Sequence, residues 1–149
     1  MQRTFDDEPD YFLHSAILRI HGIDLPLEEI SHTLKVLPTH VHRRGERRRP
    51  GSAPFEDDAW HLASSLPREQ EMTEHLRELW HVVQPSTDYL RALEARLDVF
   101  CGYRSNNGTG GFQVEPDALA IFTALDAPLS ISVIVDTWLG DALSEPQKH

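Results

Sequence analysis

The polar and apolar positions of the chain alternate between two periods, and the switches between them outline the elements. Tyr11 to His21 alternates with a period of two, placing Phe12, Ala16, Leu18 and Ile20 on one face and Leu13, Ser15, Ile17 and Arg19 on the other. That is the pattern of a strand with one buried face. Gly22 ends it, and Asp24-Leu25-Pro26 opens a short helix with Leu27, Ile30 and Leu34 as its stripe and Glu28-Glu29 in its first turn. Leu37-Pro38 closes that helix, Thr39 to Arg44 reads as a short strand, and Ala59 to Ser64 as another. Between them Gly45 to Pro54, with two prolines and two glycines, reads as a mobile loop.

The clearest helical period runs from Arg68 to Val83, where Met72, Leu76, Leu79, Trp80 and Val83 share a face. Pro85 breaks it, and Ser86 caps a shorter helix that runs to about Arg96 and buries Leu90 and Leu93. Leu97 to Arg104 is a strand. The turn-forming cluster Ser105 to Gly111 predicts an antiparallel return through Phe112-Gln113-Val114. Pro116 and Asp117 then start a helix with Leu119, Phe122 and Leu125 on one side, and Leu129 to Asp136 alternates as a last strand.

Strands that alternate, instead of running uniformly apolar, predict a mostly antiparallel sheet with one wet face. The fold class is α+β: a two-layer sandwich of ferredoxin-like character with helices on one face. Ser15, Ile17 and Arg19 from the first strand and Ser130, Ser132 and Ile134 from the last are expected on the open face. The 149 residues form one domain with a core over 11–138, and 1–9 and 139–149 are read as flexible tails.

Charge adds an asymmetry. The formal net charge of −10 disfavours nucleic acid as a default partner, yet five of the 14 basic residues, Arg43, Arg44, Arg47, Arg48 and Arg49, fall within seven positions. A single cysteine, Cys101, rules out an internal disulfide framework and fits a reducing compartment. The N-terminal residues run into acid with no apolar leader, and no apolar run approaches a membrane span. The expectation is a soluble, cytoplasmic protein.

Several motifs, in order, carry a resemblance: Ile17-Leu18-Arg19-Ile20-His21-Gly22, Leu27-Glu28-Glu29-Ile30-Ser31, Leu37-Pro38-Thr39, Arg44-Gly45-Glu46, Ala59-Trp60-His61-Leu62 and Gly111-Phe112 with the terminal helix and strand. The succession, over about Tyr11 to Trp138, resembles the bacterial domain of unknown function family 4279. The resemblance implies a fold and a bacterial origin, and no reaction. Lys35 and Asp126 stand at helix ends where the family usually has glycine; such positions often take left-handed backbone, so the substitutions could shift local turns without changing the fold.

No catalytic constellation is legible in the sequence. There is no Gly-x-Ser-x-Gly elbow, the glycines at 108, 110 and 111 fail the phosphate-loop spacing, and Cys101 reads as a buried thiol. His40-Val41-His42 puts two rings on one side of a strand, but no adjacent ligands complete a metal site, and none is assigned; no cofactor is expected either. The candidate binding residues are Arg43, Arg44, Gly45, Glu46 and Arg47 in the basic loop, through forked guanidinium contacts to an anionic partner, with Trp60 and Tyr103 as stacking surfaces. For Trp60 the competing reading is a core anchor.

Three functional classes follow. The leading one is a non-catalytic protein-binding module, of immunity or antitoxin type, whose acidic charge would speed association with a basic partner. The second is a nucleotide or nucleic-acid binder using the arginine loop. The third is a small enzyme assembled from distant His, Arg and acidic residues, which a cleft joining His61 to a carboxylate and an arginine would support. Exposed sheet edges leave pairing into a homodimer open.

Overall fold

β1 (Phe12–Gly22) occupies the centre of a five-stranded sheet, in a computed structural model that describes residues 8–136. Around it the chain runs α1 (Leu27–Leu34), β2 (His40–His42), β3 (Asp58–Ala63), α2 (Met72–Val83), α3 (Thr87–Ala92), β4 (Arg96–Ser105), α4 (Pro116–Leu125) and β5 (Leu129–Val135). The strand order is β2-β3-β1-β4-β5. The first three pairings are antiparallel and β4 pairs β5 in parallel, so the sheet is mixed and mostly antiparallel, within an α+β two-layer architecture. The tail expectations at 1–7 and 139–149, and Trp138 at the end of the expected core, lie outside the described residues.

The alternation of β1 sorts the layers as the sequence predicts. Ala16, Leu18 and Ile20 are buried beneath the helices with Trp60 and Leu62 of β3 and Val99 and Cys101 of β4. Met72, Leu76, Leu79 and Val83 form the buried stripe of α2, joined by His75, and Ile30 and Leu34 do the same for α1. Pro85 sits in a 3₁₀ turn over Gln84–Ser86 that separates α2 from α3. Lys35 and Asp126 hold left-handed backbone at the ends of α1 and α4, with φ of 57° and 51°, as expected of positions that favour glycine.

Two expectations are corrected. Phe112-Gln113-Val114 forms no strand against β4. This segment is tied to α2 instead: the Thr73 hydroxyl donates to the Gln113 carbonyl at 3.2 Å and accepts from the Glu115 N–H at 3.0 Å, while Phe112 and Val114 pack on the core. The chain therefore crosses the helical layer and leaves the edge of β4 to β5. In α4 the buried stripe is Ala118, Ile121 and Leu125, and Leu119 is exposed, because the helix is turned relative to the stripe predicted from Leu119, Phe122 and Leu125.

Candidate functional site on the open sheet face

The register of three strands gathers imidazoles that lie far apart in sequence. His40 of β2 pairs with His61 of β3, which in turn pairs with Arg19 of β1; His42 and His21 both lie opposite Ala59. Because side chains at paired positions share a face, all four histidines rise from the face that the helices leave open. The rings form a closed circuit with centroid separations of 5.0 Å (His21–His61), 5.2 Å (His61–His40), 5.1 Å (His40–His42) and 6.3 Å (His42–His21).

Two sides of the circuit are hydrogen bonds. His40 Nε2 lies 2.9 Å from His42 Nδ1, and His61 Nε2 lies 2.9 Å from His21 Nε2. Asp57 borders the other end: its Oδ1 is 3.3 Å from His21 Nδ1 and 3.9 Å from His42 Nε2, and its Oδ2 accepts from Arg96 at 2.7 Å. His42 is buried, stacked on Phe55 with centroids 3.5 Å apart, and its Nε2 has no hydrogen-bond partner. Burial first, then the neighbouring His21, His40, Arg19 and His42, pushes His61 down to about 4; burial also lowers His42, helped by His40 and His21. These two rings are therefore neutral at pH 7.

Beside the imidazoles, Arg19 makes a forked pair with Asp98, with Nε donating to Oδ1 at 2.7 Å and Nη2 donating to Oδ2, and its guanidinium lies 4.6 Å from the centre of the Phe100 ring. Burial alone would raise the Asp98 carboxyl, but Arg19 and the Ser130 hydroxyl, at 2.9 Å, hold it below the usual range. An open cleft of about 730 Å³ begins here, lined among others by Arg19, His21, Arg91, Arg96, Asp98 and Asp126. His61 is not in the lining of that cleft, which holds His21, Arg96 and Asp98; it reaches the cleft only through its hydrogen bond to His21.

The sequence-predicted binding residues distribute differently. Arg43 donates to the Asp58 carboxylate at 3.0 Å and to the Leu25 carbonyl at 2.8 Å, and the Arg44 backbone N–H donates to Asp58 at 2.7 Å, so the base of the loop is fixed to β3. Glu46 accepts from the Arg43 N–H, and Arg47 donates to the Ser52 carbonyl, an internal contact of the loop. Gly45 supplies φ of +91° at the turn. Trp60 is fully buried on the helix side and its Nε1 donates to the Ser31 hydroxyl at 2.9 Å, and Tyr103 is buried on that side too. Neither ring is presented to a ligand, which corrects their assignment as stacking surfaces: even-numbered positions of β3 and odd-numbered positions of β4 face the core.

A second surface feature lies at the sheet edge. Leu129, Ile131, Val133 and Val135 of β5 register with Val99, Cys101, Tyr103 and Ser105, whose side chains the helical layer covers, yet all four β5 residues are exposed, Val133 at 57%. The described helices leave this row uncovered. Sequence reading flagged His40 and His42 but missed His21, His61 and Asp57 as their neighbours; the signal available for the two histidines was parity, since each falls on an open-face position of its strand, while Asp57 lies just before β3.

A family model described as a domain of unknown function (DUF4279) matches residues 12–136. No curated protein and no solved structure matches the chain.

Proposed function

The chain belongs to the DUF4279 family, whose description assigns no chemistry, and we propose from its own geometry that it is a non-catalytic protein-binding module whose docking strand is β5. One observation carries this reading: among the described residues the outer edge of β5 pairs with no other strand, and its helix-side row Leu129, Ile131, Val133 and Val135 is exposed. An extended segment of a partner can add to that edge through backbone hydrogen bonds while its alternate side chains cover the aliphatic row. With a net charge of −10 the chain attracts a basic partner, and charge of this size raises the association rate more than the final affinity. The Arg43 side chain and the Arg44 backbone are tied to Asp58 and Arg47 to the Ser52 carbonyl, so the proposed interface is β5 and not the loop of Gly45 and Glu46.

The test begins with capture of partners from a lysate of the source cells, followed by production of the captured protein in pure form. Its binding to the wild-type chain is then compared with a Val133→Lys variant, and amide exchange locates the contact. A loss of roughly 30-fold or more in affinity, with new protection at the outward amides of β5, supports the reading. Unchanged affinity, or protection confined to other elements, overturns it.

A second reading has its own observation, the assembly of His61 with His21, Asp57 and Arg96 on the open face. That assembly favours a site for a small ligand.

A further inference from the structure

We infer that His21, His40, His42 and His61 form a binding site for one late first-row divalent metal ion, of which Zn²⁺ is the simplest case. The first argument is spacing. A metal held at about 2.0–2.1 Å by an imidazole nitrogen lies about 3.2 Å from the ring centre, so four rings arranged tetrahedrally have centres about 5.2 Å apart. Of the six separations such a set has, the four along the circuit measure 5.0, 5.1, 5.2 and 6.3 Å. Among the described residues no three ligating side chains yet converge on one point, because the nitrogens are turned toward each other in two hydrogen-bonded pairs. Metal binding would require the rings to rotate about χ2 and each of the two shared protons to move to the other nitrogen of its ring. The positions of the Cα atoms need not change.

The second argument is the disposition of the remaining nitrogens. His21 points Nδ1 at Asp57 Oδ1 and keeps Nε2 for the circuit; His42 points its unpartnered, buried Nε2 toward the same oxygen and keeps Nδ1 for the circuit. A carboxylate that accepts from the far side of a ligating imidazole fixes its tautomer and raises its basicity, and here Asp57 lies within hydrogen-bond distance of His21, with His42 Nε2 3.9 Å away. Arg96 holds that carboxylate in place at 2.7 Å.

The third argument is space. Ala59 lies opposite both His21 and His42 in the register and its methyl group is the whole of its side chain, so the floor between them is low. Phe55 stacks on His42 and closes one side. The two neighbouring guanidinium groups are each paired with a carboxylate, Arg19 with Asp98 and Arg96 with Asp57. An all-imidazole set without thiolate suits Zn²⁺, Cu²⁺ or Ni²⁺ better than Mg²⁺ or Ca²⁺, which require oxygen ligands. Four protein ligands also close the coordination sphere, which marks a structural or metal-holding site and leaves the protein-binding proposal untouched.

Titration of the metal-free full chain with ZnCl₂, followed by calorimetry and by ¹⁵N imidazole NMR of the wild-type protein, tests the assignment. One equivalent is expected to bind and to shift the ring nitrogens of all four residues while His32 and His81 stay unmoved. His61→Ala should weaken Zn²⁺ binding by about 100-fold and Asp57→Asn by roughly 10–100-fold, whereas His32→Ala should leave it unchanged. The spectra of the unaltered chain keep the test decisive should a variant fail to fold. No binding, or binding that shifts His32 or His81 in place of the four, would overturn the site.

Discussion

Asp58 is the residue whose removal should cost the fold most for the fewest atoms. Its carboxylate, almost wholly buried at the start of β3, accepts from the Leu25 N–H at 2.9 Å, the Arg44 N–H at 2.7 Å and the Arg43 guanidinium at 3.0 Å. It thereby ties the entry to α1 and the exit from β2 to the middle of the domain. In Asp58→Ala the Leu25 N–H loses its acceptor in a buried place and the Arg44 N–H in a partly buried one, each worth about 1–3 kcal/mol, with Arg44 at the low end. Arg43 is half exposed and regains water, so it adds little. The sum is roughly 2–4 kcal/mol, which for a chain of this length lowers Tm by about 5–15 °C. Asp58→Asn keeps one acceptor oxygen and should lose roughly half as much. The assay is urea and thermal denaturation followed by circular dichroism.

The pH dependence of this difference supplies a second check. Burial would raise the Asp58 carboxyl, but the N–H groups of Arg44 and Leu25 and the Arg43 guanidinium hold it below its ordinary 3.8. A carboxyl depressed in the folded state stabilises above its unfolded pKa and loses that contribution as pH falls toward the folded value. The gap between wild type and Asp58→Ala should therefore be full above about pH 4 and narrow below it. A loss under 0.5 kcal/mol at pH 7, on the scale of ordinary surface substitutions, would refute the reasoning, as would a gap that does not change down to pH 2.

Three further outcomes are expected. Trp60→Phe should destabilise by about 1.5–3 kcal/mol through lost volume and the lost Ser31 hydrogen bond, measured by urea unfolding; a near-neutral result would contradict its place as a core anchor. Gly110→Ala should cost about 1–3 kcal/mol because the new methyl group meets the Tyr103 hydroxyl and the Phe12 ring, whereas Gly102→Ala meets only the Ser15 hydroxyl, which can turn away, so thermal melts should separate the two. His75 is buried in α2, and burial, then His14, lowers its pKa below 6.5. The unfolded chain therefore binds this proton first, stability falls as pH drops below about 6.5, and His75→Leu should flatten that slope in urea titrations at pH 7 to 4.5.

The scaffold was readable because its strands alternate and its longest helix keeps a clean stripe, both of which are local properties. Lys35 and Asp126 stood out only through the family resemblance, and both keep left-handed backbone at their helix ends where a shift of the local turn was open. The failures are non-local. Phe112-Gln113-Val114 carries a strand-like composition, and only the Thr73 hydroxyl, 40 residues away at Gln113, shows that it belongs to the helical layer. Trp60 and Tyr103 looked like ligand surfaces by residue type, and their parity within β3 and β4 decided otherwise. The imidazole circuit was invisible because His21 and His61 lie 40 residues apart and His40 joins them only through the β2–β3 register. Spacing along the chain reveals a metal site only when its ligands share one element.

The central position of β1 has a consequence for synthesis on the ribosome. This strand is the first of the described elements to be made, yet both its neighbours are encoded later, β3 from Asp58 and β4 only through Ser105. At about 5–20 residues per second its second edge waits roughly 4–16 s for a partner. Until α2 has been made, at Val83, Ala16, Leu18 and Ile20 lack the longest helix of the layer that covers them. The interposed Ser15, Arg19 and His21 then act as guards against pairing with a neighbouring nascent chain, a service owed to the unfinished protein as much as to the finished one.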